Sequence, residues 1–107
     1  MRSGEDFRAT VRRGAKAVRP TLVTHVVLPA GSEAGVTFVG FVVSRSIGSS
    51  VERNRVKRRL RHLMRARMSD VPDGSRIVIR ALPTAKGASS TSLADDLDQA
   101  LRRAGAR

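Results

Sequence analysis

Between Arg53 and Arg67, eight of fifteen residues are Arg or Lys, yet the apolar residues among them keep a helical beat. Val56, Leu60, Leu63, Met64 and Met68 fall at i, i+4, i+7, i+8 and i+12, the spacing of an amphipathic helix. At about 100° per residue, Arg55, Arg58, Arg59, Arg61 and Arg65 fall on the opposite broad face, together with Asn54 and His62. Lys57 stands at the edge of the apolar stripe, where its long aliphatic stem can lie along apolar surface. Such a helix needs a layer to cover its stripe, and its mutually repelling cations must face outward.

The rest of the chain supplies that layer. Residues 3–14 predict a short helix, with Ser3 as its cap, Arg12 and Arg13 in its last turn and Gly14 as its stop. Phe7 and Val11, four apart, share one of its faces. Residues 21–28, TLVTHVVL, predict a strand with Leu22, Thr24, Val26 and Leu28 on one side and Val23, His25 and Val27 on the other. Residues 29–35 predict a loop. Residues 36–44, VTFVGFVVS, predict a central strand that forms a hairpin with the one before it. A further short strand fits near 16–20. After the basic helix, DVPDG at 70–74 is a stop and RIVIRAL at 76–82 is a third strand. Residues 83–92 predict a polar, mobile connection. A last helix from about Leu93 carries Leu93, Leu97, Ala100, Leu101 and Ala104 as its stripe, with Ser92 as N-cap. The order α-β-β-(β)-α-β-α is that of an α+β two-layer sandwich, with helices on a small mixed sheet, in a single domain over 1–107.

Charge narrows the partner. The chain has 21 basic and 9 acidic residues, a net charge of +12, and Arg outnumbers Lys 18 to 3. A polyanion is the expected partner, nucleic acid ahead of an anionic membrane. There is no Cys, so thiolate metal sites and disulfides are excluded. No run approaches the roughly 18 apolar residues of a membrane span, and the N-terminus lacks the apolar stretch of a signal peptide. These features predict a cytoplasmic protein. With three Phe, no Tyr and no Trp, the chain lacks the stacking platforms of common single-strand binders. No helix-turn-helix, zinc-finger or zipper pattern points to DNA, and a rigid cationic helix on a sheet suits folded RNA. Catalytic or metal-binding residues are not expected. The only His residues are His25 and His62, and the carboxylates are scattered. A structural RNA-binding protein, such as a ribosomal one, shares all these properties.

FVVSRSIGSSVERNRVKRRLRHLMR, residues 41–65, resembles the signature of the bacterial ribonuclease P protein subunit. Val43, Ser44, Arg45, Ser46 and Gly48 stand at the strand-end part, and Arg53, Asn54, Arg55, Lys57, Arg58 and Arg61 at the helix-opening part. The resemblance implies a four-stranded sheet with the basic helix in a left-handed β-α-β crossover, against the usual hand. It implies a protein without catalytic groups of its own, part of an endoribonuclease whose RNA cuts precursor tRNA with Mg²⁺ held mainly by that RNA. Arg45, Arg53, Asn54, Arg55, Lys57, Arg58, Arg59, Arg61, His62 and Arg65 would then bind the catalytic RNA. Phe7, Val11 and His25 would line a cleft for the 5′ leader of precursor tRNA. No membrane or small-molecule partner is implied. Three departures stand out. Ser46 replaces a basic residue, Val11 and His25 replace aromatic ones, and the family's basic segment before the first helix is largely missing, as expected of a late start or of a sequence cut at that point.

Overall fold

The computed structural model describes residues 3–29 and 35–106, with residues 3–7 described as backbone. The elements are α1 (Ser3–Arg13), β1 (Ala15–Val18), β2 (Leu22–Val27), β3 (Phe38–Val42), α2 (Ser50–Arg65), β4 (Arg76–Ala81) and α3 (Ser90–Arg103). The sheet order is β1-β2-β4-β3. β1 and β4 both run antiparallel to β2, and β3 runs parallel to β4. The expected α+β sandwich is therefore present, as is the short strand before β2. The expected loop at 29–35 falls largely on residues 30–34, outside the described residues.

Two expectations fail together. β2 and β3 do not form a hairpin, and β3 is an edge strand rather than a central one. β4 separates them, pairing Val23 with Arg80 on one side and Val42 with the same Arg80 on the other. Burial explains the choice. Ile77, Val78 and Ile79 of β4 are completely buried, so this segment is apolar on both faces, as a central strand must be. β3 is only half-buried apart from Gly40. Residues 83–92 also prove more ordered than their polar sequence suggests. Pro83–Gly87 form a 3-10 turn, and α3 begins at Ser90. Its N-cap is Ser89, not Ser92: the Ser89 side chain accepts from the Ser92 N–H at 3.0 Å.

The sheet has two different faces. Leu22, Val26, Ile77 and Ile79 join Val56, Leu60 and Met64 of α2 and Leu93, Leu97 and Leu101 of α3 in the main core. The alternate residues, including Val23, His25 and Val78, face α1, which packs on β2 and β4. Gly14 ends α1, its N–H donating to the Thr10 carbonyl at 2.8 Å. A Cβ at Gly14 would lie 2.9 Å from the Val26 backbone nitrogen, so only glycine lets the chain turn this closely into β1.

One buried carboxylate ties α3 to the β1–β2 turn. Asp96 accepts from the Thr21 N–H at 3.0 Å, the Thr21 hydroxyl at 2.6 Å and Arg19 Nε at 3.3 Å. Burial opposes its charge, but the Thr21 and Arg19 donors outweigh that and hold its pKa below the usual range. Leu60→Ala is expected to cost about 2–5 kcal/mol of stability through the cavity it leaves. Asp96→Ala, which strands buried donors of Thr21, is expected to cost ~1–3 kcal/mol. Chemical denaturation of both variants checks these values, and no loss for Leu60→Ala would mean that α2 presents a different face to the core.

Candidate nucleic-acid interface

The sequence leading into α2 fixes where that helix starts. Arg45–Ile47 form a 3-10 turn that ends at Gly48, whose φ is 146°. Side chains rarely adopt that conformation, and a Cβ there would also lie 2.5 Å from Glu52 Oε1. Ser49 then caps α2. Its hydroxyl accepts from the Glu52 N–H at 3.2 Å, and the Glu52 carboxylate accepts from the Ser49 N–H at 3.0 Å, a reciprocal capping box. Lys86 Nζ reaches the same carboxylate at 2.8 Å. These donors, Lys86 foremost and the Ser49 N–H next, lower the Glu52 pKa to about 2.

From this start α2 turns Val56, Leu60 and Met64 into the core. Asn54, Arg55, Arg58, Arg61, His62 and Arg65 are exposed on the opposite side, and Arg45 is exposed in the preceding turn. No carboxylate among the described residues pairs with Arg55, Arg58, Arg61 or Arg65. Arg53, Lys57 and Arg59 are half-buried. Arg59 departs from its expected outward place, because its Nη1 donates to the Ala88 carbonyl at 3.1 Å. Arg53 Nη2 donates to the Ser50 hydroxyl at 3.1 Å, while its buried Nε has no partner among the described residues. Arg53, Asn54 and Lys57 line an open groove against Phe41, Val42 and Val43 at the β3 edge. Arg67 leaves the cationic set altogether: its Nε and Nη2 hold the Asp98 carboxylate at 2.5 and 3.2 Å.

A second groove, of about 410 Å³, lies between α1 and the sheet. Val11 and His25 line it together, as the resemblance implies, along with Arg8, Arg12, Val42 and Arg80. Phe7 lies on α1, with its side chain outside the described residues. His25 is only 6% exposed, and its Nδ1 is buried without a partner among the described residues. Burial first, then Arg80 and Lys16, lowers its pKa, so the ring is neutral at pH 7. A neutral imidazole lined by guanidinium groups can hydrogen-bond to a base edge beside bound phosphates. Among the described residues no carboxylate lines the groove to make the imidazole a stronger base. Sequence reasoning missed Arg8, Arg12 and Arg80. Arg8 was in reach, one turn before Val11 on the same helix face. Arg80 becomes visible only once the register places it on the His25 side of the sheet.

Comparison with known proteins decides the family. The ribonuclease P family profile matches residues 1–105. The chain belongs to the ribonuclease P protein family. It is 51% identical to the ribonuclease P protein component of Streptomyces avermitilis, covering 96% of this chain and 89% of that one. It is 48% identical to that of a Nocardioides species, covering 99% and 91%. The fold matches the RNase P protein of Staphylococcus aureus with a TM-score of 0.83 at 22% identity, over 99% of this chain and 94% of that one. It matches that of Thermotoga maritima with a TM-score of 0.79 at 21% identity, over 96% and 94%. Membership makes the chain a protein component of the endoribonuclease ribonuclease P, in which the catalytic role sits in the RNA. The motif that carries the resemblance, Val43 to Arg61, spans the edge strand's end, the Gly48 turn, the capping box and the outward face of α2.

The capping box has a pH signature. The folded Glu52 pKa lies below its ordinary 4.5, so the group contributes stability above pH 4.5 that is lost as pH falls toward about 2. Thermal melts from pH 6 downward, in steps of about half a unit, are expected to fall less steeply for Glu52→Gln than for the wild type across that window. Parallel curves would mean that the Lys86 and Ser49 contacts do not persist in solution.

Proposed function

We propose that this chain is the protein cofactor that docks on the catalytic RNA of ribonuclease P and holds the 5′ leader of precursor tRNA, promoting tRNA 5′ maturation in the cytoplasm. One observation carries the reading. The single helix that bears the family motif buries its apolar stripe and presents Arg55, Arg58, Arg61 and Arg65, unmatched by carboxylates among the described residues, to solvent. A rigid row of guanidinium groups is suited to bidentate phosphate contacts. The groove beneath α1 is the leader site in this reading, with Val11 and His25 on its wall. RNA and substrate are both polyanions, so a +12 protein between them lowers their repulsion. The described residues group no three His, Cys, Asp or Glu side chains that could hold a metal ion. In this reading the Mg²⁺ that the family implies is held mainly by the RNA. Among the described residues no helix is long and apolar enough to cross a membrane.

The purified chain with a bacterial ribonuclease P RNA is expected to accelerate precursor-tRNA cleavage in Mg²⁺, and to cut nothing alone. Its affinity for that RNA should fall with salt, each phosphate contact adding roughly 0.7–0.9 to the log–log slope. Arg58→Ala should weaken binding and flatten the slope while leaving the thermal melt unchanged. A flat salt response in the wild type, or cleavage by the chain without RNA, would overturn the assignment.

The leader site has its own test. Val11 is 39% exposed and aliphatic, where an aromatic ring stacks one base for ~1–3 kcal/mol. Val11→Phe is expected to tighten holoenzyme binding to leader-bearing precursor tRNA, by up to about tenfold, and to leave mature tRNA unaffected. Equal changes for both RNAs would place the leader elsewhere.

A further inference from the structure

A third groove, of about 870 Å³, runs between the outward side of α2 and the start of α3. It is within the range of about 300–1,000 Å³ typical of ligand pockets. Its lining is not purely cationic. Val51, in the first turn of α2, is 66% exposed, and Leu63 is half-buried at the other end. Between them stand Asn54, Arg55, Arg58 and His62. Positions 51, 55, 58 and 62 follow one another up a single helical stripe. Arg59, which also lines the groove, is drawn toward the Ala88 carbonyl, and Ser90 of α3 closes the far wall.

The mixture of groups is the informative point. An exposed β-branched apolar residue among guanidinium groups contributes nothing to the core. A regular RNA duplex offers such a face only phosphates and ribose, because its bases are stacked inside and its major groove is too narrow for side chains. Phosphates use Arg55 and Arg58 but give Val51 no apolar partner; Leu63 already packs against the core. An unpaired nucleotide offers both: a flat, largely apolar base with a polar edge, and a phosphate on each side.

We infer that this groove receives an unstacked base from a single-stranded or bulged segment of RNA. Val51 contacts the face of the base. The Asn54 amide, one turn on from Val51, is the group available to its edge. Arg55 and Arg58 hold the flanking phosphates. The inference rests on the RNA-docking reading above and specifies the state of the RNA at one part of that surface.

Binding of the full chain to a bacterial ribonuclease P RNA, measured across a salt series, separates the two readings. Val51→Ser is expected to lower affinity by roughly fivefold, a modest apolar loss, with an unchanged salt slope because no charge is removed. Val51→Phe should raise affinity. Binding to a short fully paired RNA duplex should be the same for wild type and both variants. Arg58→Ala, by contrast, should reduce the slope. If Val51→Ser and Val51→Phe match the wild type while Arg58→Ala binds less well, the groove takes phosphate alone and this inference fails, with RNA docking intact. If Val51→Ser changes the duplex as much as the ribonuclease P RNA, the base-insertion reading fails as well. If none of the variants changes RNA binding, RNA docking through α2 fails with it. Thermal melts establish that each variant is folded, and Val51→Ala replaces Val51→Ser if the latter is not.

Discussion

Burial of the α2 stripe is the interaction on which the rest depends. Val56, Leu60 and Met64 are at most 2% exposed, and burying side chains of this kind stabilises by about 1.5–3 kcal/mol each. That gain offsets the repulsion among the cations on the other side of the same helix. The helix is fixed at its start by the Ser49–Glu52 box and just beyond its end by Arg67, which holds Asp98 of α3 and the Leu63 carbonyl. The outward guanidinium groups consequently stand on a frame that is set before any partner arrives. Less ordering entropy then opposes binding.

The sheet separates two surfaces. α2 and α3 pack on one face and α1 on the other, so the cationic helix and the groove holding Val11 and His25 are on opposite sides of the same four strands. Neither surface has to open for the other to be occupied. The groove differs in character from α2, since its basic residues come from α1 and β4 and surround a neutral, buried imidazole.

Local periodicity made α2, β2 and α3 readable in the sequence, because each shows a stripe of period 3.6 or 2 and an identifiable stop. The strand order was not readable. RIVIRAL is short, its apolar run Ile77–Ile79 is bounded by Arg76 and Arg80, and nothing local says that it lies between the two preceding strands. That follows from pairings dozens of residues apart, such as Leu22 with Ala81. The same limit explains the cations that turn inward. Arg59 and Arg67 are drawn from the exposed set by Ala88 and Asp98, 29 and 31 residues away. Ser89 was overlooked as a cap because three further hydroxyl residues follow it and the apolar stripe begins only at Leu93. The candidate site on α2 was legible for the residues whose position depends on helix phase alone.

The place of β4 in the sheet has a consequence for synthesis on the ribosome. β2 and β3 are made first, and each keeps an open edge until residues 76–81 emerge and fill the gap between them. α2 is already made by then, with Ile77, Ile79 and the α3 leucines that share its core still to come. The nascent chain is therefore cationic and incompletely closed over most of its length. It becomes a single cooperative unit only when β4 has paired on both sides, and the Asp96 and Asp98 contacts from α3 come later still. In kinetic terms, β4 is the keystone: its non-local pairings on both sides are the slow, entropically costly step.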